Sequence, residues 1–395
     1  MKDRNCLIEK NPLIYLNNAA TSWPKPPEVL QAIQESLTYP FSGGRRGSGY
    51  AQMDYLSSGR EIVYDFFGVD DPDTIIFSSN ATDALNTLIH GFVRSQNEPF
   101  HAITTNLEHN SVLRPLYHLE QTAQISLDYV PFKNNVVDPE SIMEAVKDKT
   151  RLVVMTHGSN VVGSVQDIRA VGEYLYDKGI FFIVDGSQTA GHIPLNLSSI
   201  NLDTYVFTGH KGLYGIPGIG GFYIRTPEKV VPVRMGGTGT DSGSLSHPEG
   251  LPERYEIGTP NYPGIASLIA GTRFIQSVGI KKIMQKADYQ TRNIIDALSS
   301  HPQITVYNKN PNLPIIAFNI SGLNNDDVGY ILARKDNIIV RTGLHCAPLV
   351  HKEIDDGMGC IRISLSWFTS DEECRIAIDA IREIANHANS KIQSS

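Results

Sequence analysis

Lys211 stands in Thr208-Gly209-His210-Lys211-Gly212, directly after the apolar run Tyr205–Phe207. A solvated loop lysine is the ordinary reading of such a residue, since lysine is mostly exposed. The chemical reading is a Schiff-base amine, which needs partial desolvation and a lowered pKa. The flanking glycines allow a bulky ring to approach the backbone. Asp185 ends the run Phe181–Val184, 26 residues earlier. It reads either as a turn or helix cap or as a strand-end carboxylate that pairs with a protonated pyridine nitrogen.

Other residues fit the same two-sided description. Asn80-Ala81-Thr82 opens a helical pattern. That is an ordinary N-cap or a phosphate seat, because free N–H groups at a helix start favour an anion. His109 follows an apolar run and is either structural or a flat ring that stacks on a flat cofactor. His210 is placed to donate a hydrogen bond to a phosphate. Gly215–Gly221 matches neither a P-loop nor a GxGxxG fingerprint and reads as a tight loop.

Cys346 lies in Arg341-Thr342-Gly343-Leu344-His345-Cys346-Ala347-Pro348. It reads as a small buried hydrophobe or, with Arg341 and His345 close by, as a nucleophilic thiolate. Cys6, Cys360 and Cys374 lack such a setting. Arg362 alternates with apolar residues in Cys360–Ser364. It faces solvent, or it is buried to meet an anion such as a substrate carboxylate.

The elements that must position these groups alternate between short apolar runs and amphipathic stretches, which predicts βα units. Strands are expected at Thr74–Phe77, His101–Thr104, Ile125–Val130, Leu152–Met155, Phe181–Val184, Tyr205–Phe207 and Gly220–Ile224. Helices are expected at Pro27–Leu37, Asp54–Phe67, Ala81–Val93, Pro139–Val146 and Ile168–Lys178. The polar residues follow the strands, where open α/β sheets bind ligands. Arg234–Gly264 reads as a long loop, and a long helical stretch runs from about Pro263 to Leu298. Beyond it come Ile304–Tyr307, Ile315–Ile320, Asp326–Lys335, Ile338–Arg341, Cys360–Leu365 and a last helix from Asp371 to about Ala388, a smaller α+β region.

The 395 residues suffice for two domains. Hydrophobic residues at 41% and charged residues at 19% exclude a mostly disordered chain. A net charge of −8 argues against a nucleic-acid partner. Four cysteines without a CxxC pair form neither a disulfide scaffold nor a zinc site of the usual spacing. The first residues carry no apolar leader region, and no run approaches the twenty or so residues of a membrane helix. A cytoplasmic, reducing compartment is expected.

Eight segments together resemble the class V aminotransferase family of pyridoxal phosphate (PLP) enzymes, in particular its cysteine desulfurases. They are Tyr15–Thr21, Asn80–Asn86, Glu108–Asn110, Ser159–Gly163, Val184–Gln188, Thr208–Lys211, Glu256–Asn261 and Arg341–Pro348 with Arg362. They occur in the family's order. The resemblance implies a type I PLP fold, aspartate aminotransferase-like. Its large domain, at 16–255, would hold a mostly parallel seven-stranded sheet, and residues 1–15 and 256–395 would form the small α+β domain. It implies that Lys211 carries the cofactor, Asp185 meets the pyridine nitrogen and His109 stacks on the ring. Gln188 and Asn160 would contact the phenolic oxygen side. Ala81, Thr82, Thr208 and His210 would hold the phosphate, with Thr259 reaching in from the second subunit of a homodimer. Arg362, Asn160 and Ala20 would bind the substrate. Cys346 would accept sulfur from L-cysteine as a persulfide, release L-alanine and pass the sulfur to an acceptor protein. No metal is implied.

The 16-residue interval from Cys346 to Arg362 resembles the group II desulfurases. Two departures stand out. Asn17 occupies a position where the family often has Asp. Gly44–Tyr50 replaces a histidine-rich turn, of which only Arg46 matches. The acceptor and the exact substrate stay open. The alternatives are a selenocysteine lyase, another class V transaminase or lyase, and a non-enzymatic scaffold.

Overall fold

The computed structural model describes residues 12–38, 54–240 and 242–392, with side chains described through residue 388. Cys6 and the Gly44–Tyr50 stretch lie outside the described residues. The chain divides into two compact units: Pro24–Asn160 with Ser164–Gln285, and Met1–Trp23 with Val161–Gly163 and Lys286–Ser395.

Both expected boundaries move. Strand β1 (Ile14–Tyr15) leads into Leu16, whose N–H donates to the Ile339 carbonyl at 2.8 Å. Asn17 then bridges to Ser364, so the chain through Trp23 stays with the smaller unit. Residues 256–285 stay with the larger one, because the helix at Tyr262–Val278 packs on those at Pro27–Thr38 and Tyr55–Phe67.

The larger unit is built on seven strands: β2 (Ile75–Ser78), β3 (Phe100–Thr105), β4 (Ile125–Val130), β5 (Thr150–Thr156), β6 (Phe181–Asp185), β7 (Thr204–Thr208) and β8 (Gly220–Ile224). Their order is β2-β8-β7-β6-β5-β3-β4. Only β8 runs antiparallel to its neighbours. Strands β3, β6, β7 and β8 are buried at every position. A sheet covered on both faces requires this, which is why β6, β7 and β8 are largely apolar, while β3 buries His101, Thr104 and Thr105 as well.

The helices are α1 (Pro27–Thr38), α2 (Tyr55–Phe67), α3 (Ala81–Arg94), α4 (Asn110–Gln121), α5 (Pro139–Ala145), α6 (Ile168–Asp177) and α7 (Tyr262–Val278). Side chains of Asp54, Asn80, His109, Asp138 and Asp167 accept from first-turn amides and fix where α2 to α6 begin. Helix α3 buries Leu85, Leu88, Ile89 and Phe92. Phe92 stacks on Phe181 of β6 at 4.5 Å between ring centroids. Each such side chain contributes about 1.5–3 kcal/mol of burial. The long helical stretch expected from 263 to 298 is two helices, α7 and α8 (Ile280–Ser299). Gly279 separates them at φ +90°, a left-handed conformation that favours glycine.

The smaller unit contains β9 (Ile304–Val306), β10 (Ile315–Ile320), α9 (Asn325–Lys335), β11 (Ile338–Ile339), β12 (Arg341–Gly343), α10 (Pro348–Ile354), β13 (Cys360–Ser364) and α11 (Asp371–Ile392). An antiparallel sheet runs β12-β13-β10-β9, and β1 pairs in parallel with β11. Ile316, Phe318, Ile361 and Ile363 of the sheet share one core with Leu298 and Ile381 of the helices. No described helix is long and apolar enough to cross a membrane.

Candidate active site

In the larger unit the polar residues collect at the carboxyl ends of adjacent strands. Asp185 closes β6, in register with Thr156 on one side and Val206 on the other. Its Oδ1 accepts from the Ser187 amide at 2.9 Å and from the Ser187 hydroxyl. This fixes the carboxylate plane and leaves Oδ2 to another donor. The Asp185 side is backed by Tyr205, whose hydroxyl meets Thr189 Oγ1 at 2.8 Å. A side chain at Gly186 would overlap the Tyr205 ring, so only glycine fits there.

His109 caps α4. Its Nδ1 accepts from the Ser111 amide at 3.1 Å, which assigns the ring proton to Nε2. Just before it, Glu108 is fully buried and sequence reasoning gave it no role of its own. Its Oε1 accepts from Thr105 Oγ1 at 2.6 Å and from the Thr156 amide at 2.9 Å, tying the ends of β3 and β5 together. Its Oε2 has no hydrogen-bond partner. Burial pushes the Glu108 carboxyl up to about 8.

An anionic flat cofactor fits this ground on two observations. Thr208 Oγ1 is a buried hydroxyl without a hydrogen-bond partner at the end of β7. Next to it, His210 is pulled down to about 4 by burial and by the charges of Lys211 and Lys25. Lys25 donates to the His210 carbonyl at 3.2 Å, and burial lowers its own pKa to about 8. Two lysines, a neutral imidazole that can donate and an unused hydroxyl are the complement of a phosphate. Lys25 was missed in the sequence, where Pro24-Lys25-Pro26 gives no signal. Ala81 and Thr82 form the first turn of α3, where Asn80 caps only the Asp83 amide. Asn160 and Gln188 are buried. Thr259 lines a cavity of about 160 Å³ with Ser78, Ser79 and Gly218. Its segment is anchored by Glu256, which takes the Arg60 guanidinium through both oxygens and the Phe77 amide at 2.6 Å.

In the smaller unit, Arg362 of β13 is 1% exposed and hydrogen-bonds Asn17 Oδ1 at 3.1 Å. Burial and Arg341 pull its pKa down to about 9. The expected solvent-facing alternative for Arg362 is excluded. Ala20 sits in the turn after Asn17, donating to its carbonyl at 3.1 Å. Cys346 is half-buried, and Arg341 Nη2 points at its Sγ from 3.6 Å. A thiolate would strengthen that contact. His345 and Cys346 both take left-handed backbone angles, φ +50° and +59°. Each costs on the order of 1–3 kcal/mol. Cys360 and Cys374 are buried in the core, as strand and helix residues.

The sheet order, the strand-end carboxylate, the loop lysine and the lysine, imidazole and hydroxyl beside it together define an α/β protein made to hold a flat, phosphorylated cofactor. Residues 14–376 match the aminotransferase class-V family, and the chain belongs to it. It is accordingly a PLP-dependent enzyme. It is 30% identical over 382 residues to a probable cysteine desulfurase of Methanothermobacter thermautotrophicus, covering 94% of each chain. It is 29% identical over 388 residues to a cysteine desulfurase of Shigella flexneri, covering 94% of this chain and 93% of that one. Among solved structures, the apo cysteine desulfurase of Thermococcus onnurineus superposes with a TM-score of 0.87 at 29% identity, over 98% of this chain and 99% of that one.

Proposed function

We propose that this enzyme is a cysteine desulfurase that moves the sulfur of L-cysteine onto Cys346 and releases L-alanine. The observation that carries this reading is the Arg341 guanidinium set against Cys346 Sγ on a loop of fixed, strained backbone. A buried structural thiol has no use for that neighbour.

The residues divide the work as follows. Lys211 would hold the cofactor, and its amine would take the Cα proton. Asp185 holds the proton on the ring nitrogen through Oδ2, with Ser187 fixing Oδ1. His109 covers the ring face, and Gln188 and Asn160 meet the phenolic oxygen. Ala81, Thr82, Thr208 and His210 take the phosphate, with Thr259 of a second subunit completing it in a homodimer. Arg362 takes the substrate carboxylate, and Asn160 and Ala20 are the further substrate-binding residues. When bound, pyridoxal phosphate supplies the electron sink that lets the Cα proton leave.

The reaction balances without an outside oxidant. The Cβ–S bond of cysteine breaks, an S–S bond forms on Cys346, and the thiol hydrogen equivalent ends on the carbon product as alanine. The persulfide then needs a thiol acceptor, and a reducing, cytoplasmic compartment with a sulfur-acceptor protein suits that need.

The test is alanine release from L-cysteine with a thiol reductant, compared with Cys346→Ser. Loss of alanine in the variant with the cofactor retained is the expected result. Equal turnover by both proteins would refute the role of Cys346. A selenocysteine lyase would show itself as turnover of selenocysteine that survives this substitution.

A further inference from the structure

Three side chains of the smaller unit that the reaction does not use converge behind the nucleophile loop. His345 Nδ1 and His351 Nε2 face each other at 3.3 Å. Cys360 Sγ lies within 4.8 Å of both. His345, His351 and Cys360 are 3%, 0% and 0% exposed.

The outer nitrogens decide where the ring protons are. His345 Nε2 lies 3.3 Å from the Arg341 carbonyl oxygen, and His351 Nδ1 lies 2.6 Å from Asp355 Oδ2. A carbonyl oxygen and a carboxylate can only accept, so both outer nitrogens carry hydrogen. The inner nitrogens of two neutral rings therefore present lone pairs to each other. Two arrangements relieve this opposition: an extra proton on His351, paired with Asp355, or a metal cation between the rings.

Cys360 separates these two choices. A proton shared by two nitrogens has no need of a third donor, whereas a tetrahedral cation uses one. Two imidazole nitrogens bound to tetrahedral zinc at about 2.0–2.1 Å lie about 3.3–3.4 Å apart, the spacing seen here. Histidine ligands that give their other N–H to a carbonyl and a carboxylate form the usual outer support of such a site. Burial and Asp355 hold the Cys360 thiol well above its usual range, so it gives up its proton only to a bound cation, which the Arg362 charge and the Phe318 amide assist. Charges facing the cluster count too. Arg341 and Arg362 oppose any added positive charge on His345, which burial and these arginines hold near 2. They oppose a metal ion as well, and Asp355 faces His351 in either case, but a metal ion also draws in the negative charge of a Cys360 thiolate, which an extra proton does not.

We propose that His345, His351 and Cys360 bind a metal ion of the zinc class, with Asp355 and the Arg341 carbonyl orienting the two imidazoles. Binding releases the Cys360 thiol proton to solvent and forms the metal–sulfur bond, with no change of oxidation state. The ion fastens His345, and so holds the adjacent Cys346 in its left-handed backbone. Because the donors are closed off from water, the ion enters as the chain folds. The proposal is independent of the desulfurase assignment.

The experiment is metal analysis of the full chain, expressed with zinc and dialysed, with X-ray absorption at the zinc edge. Wild type is expected to hold about one zinc per chain, with two nitrogen ligands and one sulfur ligand. Cys346→Ser should keep it. Cys360→Ala should weaken retention by about tenfold or more while the cofactor absorbance persists. Zinc-free wild type, a ligand shell without sulfur, or zinc that disappears in Cys346→Ser and survives in Cys360→Ala would overturn the proposal. The absorption spectrum of wild type decides the case even if Cys360→Ala does not fold.

Discussion

Arg341 and Arg362 stand directly opposite each other in the antiparallel register of β12 and β13. Arg362 is among the largest fully buried side chains of the described chain. Like charges across a ladder repel, and a buried guanidinium is costly without an anion. The pair makes sense as a receptor for a carboxylate that arrives with the substrate. Arg362→Gln should raise KM for L-cysteine by about 10- to 150-fold, the loss of one charge-assisted interaction of about 1.5–3 kcal/mol. The cofactor absorbance should persist, and thermal stability without substrate should be kept or raised. An unchanged KM would remove Arg362 from substrate binding.

Lys211→Ala should purify without the imine absorbance that marks covalently attached cofactor. Added pyridoxal phosphate should bind reversibly, because Thr208, His210 and Asp185 remain. An imine band equal to that of wild type in this variant would exclude Lys211.

Glu108 predicts a pH dependence of stability. Its pKa is 4.5 in the unfolded reference and about 8 when folded. Between these values the folded protein holds a proton that the unfolded chain has lost. Stability therefore falls as pH rises through that window, by at most about 1.4 kcal/mol per unit. Glu108→Gln keeps an oxygen for Thr105 and Thr156 and cannot ionise. Melting curves at pH from about 5 to about 8 should show the variant gaining on wild type as pH rises. A constant difference across that range would show that Glu108 does not titrate in this way.

Gly186→Ala puts a methyl group into the Tyr205 ring behind Asp185. Overpacking of this kind costs about 1–3 kcal/mol. The variant should melt lower and release its cofactor more readily, as read by dialysis and absorbance. A variant with wild-type melting would show that Tyr205 yields to the added methyl.

The inner sheet was legible because its strands are buried on both faces, and apolar runs such as Phe181–Val184 and Tyr205–Phe207 mark them to within a residue, while the edge strand Ile125–Val130 showed as an alternating run. Helix α4 was not anticipated, because Pro115 inside it breaks the local helical signal. Helix α10 is short and begins at Pro348 within a loop-like stretch. The site residues were legible as strand-end polar groups, but their supports were not. Lys25 reaches His210 across 185 positions of chain, and Arg60 reaches Glu256 across 196. No local pattern encodes contacts that only the packed fold creates. The domain boundaries moved for the same reason. Leu16 and α7 were assigned by sequence position, whereas their hydrogen bonds and packing partners lie far along the chain.

Sulfur transfer to Cys346 is the step on which the proposed activity turns. Its most direct test is mass spectrometry of the enzyme after brief incubation with L-cysteine without reductant, with alanine assayed in the same tube. One added sulfur on the Cys346 peptide and the appearance of alanine are expected. A loaded enzyme that shows neither would contradict it and return Cys346 to the role of a packed hydrophobe.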